Sequence, residues 1–435
     1  MKKVRKEFTN PDIIVGLDIG TTKIATIVGY KNEEGRIEVL GYGKAESTGV
    51  QHGLIFNINK TVHGVEQSVT MAHDRSGQQI DEVYAGIAGR HIKNKEYKHE
   101  IQRINGKDTV IEQEEIDQMV HDVENILLPV GEKIITVIPQ RFIIDGERET
   151  NEPVGEMGEL IVGYFQVITG NENEIKKIVK CVNDAQLNVT DIILEPIASG
   201  LSCLRDEEKK QGVVLIDIGG GTTDVAIFYN GNPVYSEVIP FGGNVITKDI
   251  AHVCRITEEL AESLKKKYGT CIEERSDKNN TITIPSFHET KPSQISEPYL
   301  AKIINARVVE SIVNPVKKVI ADSNYASNIN AGIVLTGGGA MLNHLKELFQ
   351  YSLVMPARIG KPDIGFNKSM PSELNNPMYA TALGLLKYGI MENKSTQPKS
   401  SPVVTVKPEK YEGNPENGIF KKIQSFFYKM LETTE

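Results

Sequence analysis

The sequence predicts a duplicated α/β fold of two related halves, each opening on a β-hairpin with glycine at its bend. Three observations carry that prediction. Asp18-Ile19-Gly20-Thr21-Thr22-Lys23 follows the apolar β-branched run Ile13-Ile14-Val15, and Asp217-Ile218-Gly219-Gly220-Gly221-Thr222-Thr223-Asp224 follows Val213-Val214-Leu215-Ile216. Each is succeeded by another such run, Ile24 to Val28 and Val225 to Phe228, so each reads as strand, tight turn, strand. The two copies stand at the starts of two half-chains in a sequence of 435 residues, long enough for two or more domains with real cores.

The loops carry a chemistry. Gly20, Gly219, Gly220 and Gly221 let backbone N–H groups come close to an anion, and the hydroxyls of Thr21, Thr22, Thr222 and Thr223 add donors. Asp18 and Asp217 sit at the mouths of the turns. A carboxylate there repels phosphate unless a divalent cation stands between them, so each implies Mg²⁺ held through water. Lys23 fits a phosphate contact or a solvated hairpin residue. One glycine hairpin is common in structural sheets, whereas two at corresponding places imply a nucleotide gripped from both sides.

Composition removes other classes. A formal charge of −9 leaves no electrostatic footprint for nucleic acid. The basic run Lys265-Lys266-Lys267 lies on a predicted helix and reads as a solvated face. The four cysteines, at 181, 203, 254 and 271, are far apart with no metal-ligand spacing, as expected of free thiols in a reducing cytosol. The charged start MKKVRKEFTN lacks the apolar core of a secretory signal, and no apolar run approaches the ~18 residues of a membrane span.

Along the chain, a third strand is expected near Arg36 to Tyr42 and a helix from Lys60 to Met71. Residues 84–165 interrupt the first half with an acidic helix, Glu112 to Leu127, a strand at Ile134 to Pro139 and glycine-bearing turns. A helix over Glu172 to Ala185 leads to a strand ending in Glu195. Residues 242–310 read mainly as helices, one opening at Gly243, with a short strand at Ile282 to Ile284 and a helix from Glu297 to Ala321. The predicted organisation is a first half of 1–83 and 166–211, an α+β insertion of 84–165, and a second half of 212–390. A linker of 391–417, rich in Pro, Ser, Lys, Asn, Glu and Gly, buries too little apolar surface to offset chain entropy.

Three further segments complete a pattern: Ile192 to Gly200, Ile333 to Ala340 and Asn376 to Gly384. With the two hairpins they make five motifs in an order that resembles the actin-like ATPase superfamily, over residues 12 to about 390. An insertion this early resembles the arrangement in the FtsA family of bacterial division proteins, as do Val83 to Gly89 and Val137-Ile138-Pro139-Gln140. The resemblance implies ATP as ligand, with Gly337, Gly338 and Gly339 close to the sugar and α-phosphate. Glu262 and Lys265 match positions that contact ribose and adenine, or form an ordinary surface ion pair. Glu195 matches the residue that orients the attacking water. No His or second carboxylate with general-base spacing is visible, so firm ATP binding with slow hydrolysis at best is expected. The resemblance also implies self-association into filaments, recruitment of later division proteins, and docking of the acidic FtsZ tail at Arg307. Its location would be the cytoplasmic face of the membrane at the division site. A pilus-assembly relative of the same fold and a small-molecule kinase are the alternative readings.

Beyond the linker, residues 418–435 open on Gly418-Ile419-Phe420-Lys421-Lys422-Ile423-Gln424-Ser425-Phe426-Phe427-Tyr428-Lys429-Met430-Leu431. At about 100° per residue, Ile419, Phe420, Ile423, Phe426, Phe427, Met430 and Leu431 share an arc of roughly 140°. A helix so apolar on one side needs a surface, either its own domain or a membrane. Flanking lysines and the polar tether favour a membrane surface.

Overall fold

The computed structural model describes residues 12–104, 106, 108–284 and 293–393. These divide into two compact units, 12–90 with 174–387 and 91–173 with 388–393.

The larger unit begins with three antiparallel neighbours, β1 (Ile14–Ile19), β2 (Lys23–Lys31) and β3 (Ile37–Glu46). A small hairpin of β4 (Val50–Gln51) and β5 (Leu54–Ile55) leads to α1 (Ile58–Ser76) and to β6 (Glu82–Ile87), which runs parallel to β1. The second unit then follows as β7 (Lys93–Gln102), α2 (Gln113–Glu124), β8 (Glu132–Ile144), β9 (Arg148–Thr150) and β10 (Leu160–Asn171). Its antiparallel sheet has the order β7-β10-β8-β9. Ile116, Met119, Val120 and Val123 lie on one face of α2 and share a core with Val137, Phe142, Phe165 and Val167.

The chain continues through α3 (Glu172–Asp184) and β11 (Asn188–Leu194), and β11 pairs parallel with β6 to give the order β11-β6-β1-β2-β3. Two helices follow, α4 (Glu195–Cys203) and α5 (Asp206–Gln211). The second half opens with β12 (Val213–Ile218), β13 (Thr223–Tyr229) and β14 (Asn232–Ile239), then α6 (Gly243–Cys254) and α7 (Glu258–Tyr268). A hairpin of β15 (Thr281–Ile284) and β16 (Ser293–Ser296) precedes α8 (Glu297–Val308) and α9 (Asn314–Asp322). The half ends with β17 (Gly332–Thr336), α10 (Leu345–Leu353), β18 (Ala357–Ile359) and α11 (Ala380–Asn393).

The second sheet has the order β14-β13-β12-β17-β18. Its first strand pairs antiparallel with the next and parallel with β17, as β1 does with β2 and β6. The two halves therefore share one topology, the duplicated actin-like α/β fold expected. Val213–Ile218 and Ile14–Ile19 are buried throughout, which is why they read as unbroken apolar runs rather than alternating ones.

Several boundaries move. The insertion expected over 84–165 runs instead over 91–173, because β6 is a buried strand between β1 and β11 and β10 continues to Asn171. The strand expected to end in Glu195 stops at Leu194, and Glu195 opens α4. The helix expected from Glu297 to Ala321 is interrupted by a π turn at Val309–Val313. Pro315 has no N–H and its ring crowds the carbonyl of Ser311, so the ladder there takes the wider spacing. The helix α11 extends to Asn393, past the linker boundary expected at 391. The rest of that linker and the apolar arc from Ile419 to Leu431 lie outside the described residues. All four cysteines are free, and among the described residues no helix is long and apolar enough to cross a membrane.

Candidate functional site

The two glycine hairpins close in the same way. Gly20 N–H donates to the Lys23 carbonyl at 3.0 Å, and Gly219 N–H donates to the Thr222 carbonyl at 2.9 Å. In register, Asp18 faces Ala25 across its hairpin, whereas Asp217 faces Asp224. The loops meet in one cleft lined by Asp18, Gly20, Thr21, Thr22 and Lys23 from the first half. Asp217, Gly219, Gly220, Gly221, Thr222 and Asp224 line it from the second. Glu195, Gly337, Gly338, Met378 and Thr381 complete the wall. The loops come close: a side chain at Gly220 would sit 2.2 Å from the Thr22 methyl carbon.

Four carboxylates, Asp18, Glu195, Asp217 and Asp224, thus line the cleft together with one lysine. Lys23 Nζ pairs with Asp18 and is part-buried. Asp217 accepts from the Ser199 hydroxyl at 2.6 Å and from Thr381 at 3.3 Å, and burial still raises its pKa above the usual carboxylate range. Asp224 is pushed up to about 8, by burial first and then by the charge of Asp217. Thr222 reaches its Oδ2 at 3.3 Å, while Oδ1 is buried with no hydrogen-bond partner. Glu195 is raised well above its usual value, by burial first and then by Asp18, Asp224 and Asp217. Gly86 lies beneath Glu195, leaving 2.9 Å between a side chain built there and Glu195 Cγ.

The residues suit a phosphate-bound divalent cation. Excess negative charge, an orphaned carboxylate oxygen and facing glycine loops leave room for an anion and call for a cation beside it. Among the described residues no three His, Cys, Asp or Glu side chains converge as a direct metal cage, so the ion would be held through water and phosphate oxygens.

Other expected positions lie elsewhere. Thr223 turns its hydroxyl to the Phe241 carbonyl at 2.8 Å, and Gly339 packs against Ile218. Glu262 and Lys265 are absent from the cleft lining. They pair with each other at 2.6 Å and bind Thr247, and Lys265 donates to the Gly243 carbonyl at 3.0 Å. That pair braces the start of α6, whose Gly243 and Asn244 amides hold the second loop through Gly219 and Gly220. The basic run is therefore a solvated face at Lys266, whose side chain is 73% exposed, but not at Lys265. Arg307 lies on α8, paired with both carboxylate oxygens of Asp249, at 2.5 and 3.1 Å, and with Glu310 at 3.1 Å. The roles of Asp224, Ser199 and Thr381 appear only in the fold. The available signals were the cross-strand position of Asp224 and hydroxyls placed inside otherwise apolar helices.

The match to known proteins follows this architecture. A family model described as cell division protein FtsA matches residues 214–384, and one described as an SHS2 domain inserted in FtsA matches 89–169. Cell division protein FtsA of Pseudomonas aeruginosa is 35% identical over 380 residues, covering 87% of this chain and 90% of the relative. The chain belongs to the FtsA family of cell-division proteins. FtsA of Borreliella burgdorferi is 33% identical over 96% of this chain and 98% of its own length. FtsA of Escherichia coli is 31% identical over 88% and 91%. Among solved structures, a PilM–PilN type IV pilus biogenesis complex matches with a TM-score of 0.62 at 15% identity, over 87% of this chain and 98% of that one. MreB5 of Spiroplasma citri bound to ADP matches with a TM-score of 0.55 at 16% identity, over 88% and 99%. These two likenesses concern the fold.

Proposed function

We propose that the cleft binds Mg·ATP and that this FtsA-family protein is a filament-forming, membrane-tethered link to the FtsZ ring that recruits later division proteins. The observation that carries the nucleotide reading is the pair of glycine loops facing each other around four carboxylates and one lysine. Gly20, Thr21, Thr22 and Lys23 on one side, and Gly219 to Thr222 on the other, would donate to the phosphates. Asp18, Asp217 and Asp224 would hold the waters of Mg²⁺, which screens phosphate charge when bound. Gly337 and Gly338, which line the cleft, would let the backbone approach the sugar, and Glu262 and Lys265 would set the base-binding wall through α6. Glu195 would orient water for slow hydrolysis. Its pKa, raised by burial first and then by the acidic neighbours, favours the protonated acid until a cation offsets those charges. The test is titration of the full-length protein with a fluorescent ATP analogue in Mg²⁺ or in EDTA. Saturable binding confined to Mg²⁺ supports the reading, and its absence in both sinks it.

Arg307 is proposed to receive the acidic FtsZ tail, in exchange for Asp249 and Glu310. Arg307→Glu is expected to remove tail binding in an anisotropy titration with nucleotide affinity unchanged. Asp249→Asn frees the guanidinium and is expected to tighten the same peptide a few-fold. Unaltered binding in both variants moves the docking site elsewhere.

The arc from Ile419 to Leu431 is proposed as the membrane anchor. Phe427→Glu is expected to release the protein from anionic vesicles in co-sedimentation, as deletion of 418–435 should. Burial of one phenylalanine is worth about 1.5–3 kcal/mol, and a charge at the same depth adds a penalty. If vesicle binding survives and the melting temperature falls, the segment packs on its own domain.

A further inference from the structure

Between β4 and β5 the chain turns on two residues, His52 at φ 48° and Gly53 at φ 73°. Positive φ at both central positions is the geometry of a tight two-residue hairpin turn, and a side chain tolerates it there at some cost. The turn belongs to the first half, yet it touches both phosphate loops. His52 Nδ1 lies 3.1 Å from the Gly221 carbonyl oxygen in the second loop. A carbonyl can only accept, so Nδ1 carries the hydrogen, in either the neutral or the protonated ring. Gly53 N–H donates to the Thr21 hydroxyl in the first loop at 3.2 Å, and Gly53 itself lines the cleft. The crossing is tight: a side chain at Gly221 would sit 2.6 Å from Thr21 Oγ1 and 3.0 Å from His52 Cα.

We infer that the His52–Gly53 turn is a strap joining the two phosphate loops, and that His52 is a positioning residue for the nucleotide. The inference rests on the ATP reading above. No peptide bond in the described chain is cis, so the Thr222 N–H points opposite to the Gly221 carbonyl within the same planar group. Holding that carbonyl on His52 therefore aims the Thr222 amide away from the strap, and Thr222 lines the phosphate cleft. Freed of His52, this glycine-rich peptide has many orientations available, and binding must select the productive one. Gly53 does the matching work on the first loop, fixing the Thr21 hydroxyl. Because both loops are held from one turn, the strap sets the spacing between them before any ligand arrives.

The experiment compares the full-length protein with His52→Gly and His52→Asn by titration of a fluorescent ATP analogue in Mg²⁺, with nucleotide-free melting temperatures alongside. Glycine removes the ring at a position whose backbone favours glycine, so the fold is retained. ATP affinity in His52→Gly is expected to fall about five- to tenfold, the range of one hydrogen bond. Asparagine also accepts this backbone conformation and carries an amide donor, so His52→Asn should recover part of the loss. Unchanged affinity in His52→Gly, or a lowered melting temperature with unchanged affinity, overturns the strap alone. Failure of the unsubstituted protein to bind ATP overturns both the strap and the reading beneath it.

Discussion

Replacing Asp217 with asparagine is expected to weaken Mg·ATP binding by about 100-fold, or ~3 kcal/mol, while leaving the nucleotide-free protein as stable as before or more so. The two halves of that result have one cause. Asp217 stands among Asp18, Glu195 and Asp224 at the cleft, and burial plus like charge raise the pKa of Glu195 and Asp224. A carboxylate whose folded pKa is raised costs stability wherever the unfolded chain is already ionised. Asp224 moves from 3.8 to about 8, so between those values the folded state keeps a proton that the unfolded chain has released. Stability of the empty protein should therefore fall as pH rises through that window. Asparagine at 217 removes one of the repelling charges and still accepts from Ser199, so the fall should be shallower. Bound cation needs that charge, and its loss is felt only with nucleotide. Thermal melts across pH, with and without Mg·ATP, separate the two. A variant that melts lower when empty and keeps full ATP stabilisation would show Asp217 to be a structural residue only.

What could be read from the sequence was what is local. A glycine turn between β-branched runs is set by neighbours a few residues apart, and both hairpins form where expected. The roles that escaped depend on distant partners. Ser199 and Thr381 lie 182 residues apart and meet on one carboxylate oxygen. Asp224 acquires its meaning from strand register, since only its pairing opposite Asp217 turns it into the cleft. Arg307 was legible as a charge on a helix, but not as half of a pair with Asp249, 58 residues away on α6. His52 is a lone histidine in a turn, and its role shows only through its contact with Gly221, 169 residues away. The insertion boundary slipped for a related reason. Val83 to Ile87 looks the same whether it starts a new domain or completes an old sheet, and only pairing with β1 and β11 decides.

Gly384→Ala is expected to cost about 3 kcal/mol of stability and most of the ATP affinity, although alanine is the better helix former by about 1 kcal/mol. Helices α4 and α11 start within two of the segments that complete the sequence pattern, Ile192 to Gly200 and Asn376 to Gly384, and there they touch backbone to backbone. A methyl at Gly384 would sit 1.8 Å from the Ala198 carbonyl oxygen and 2.3 Å from its carbon. No rotamer relieves a clash with main chain, so the helices must part. Ser199 follows Ala198 on one helix and Thr381 precedes Gly384 by one turn on the other, and these two hydroxyls hold Asp217. Separation of the helices therefore pulls the metal-site carboxylate out of place, which links the packing defect to the cleft. Gly64 in α1 supplies the comparison. A methyl there meets the flexible tip of Ile24, Cδ1 at 2.7 Å, with the Glu46 carbonyl at 3.3 Å. Gly64→Ala should be near neutral in denaturant unfolding and keep full ATP binding. If Gly384→Ala is equally mild in both measurements, the crossing yields easily and the coupling from helix contact to cleft is wrong.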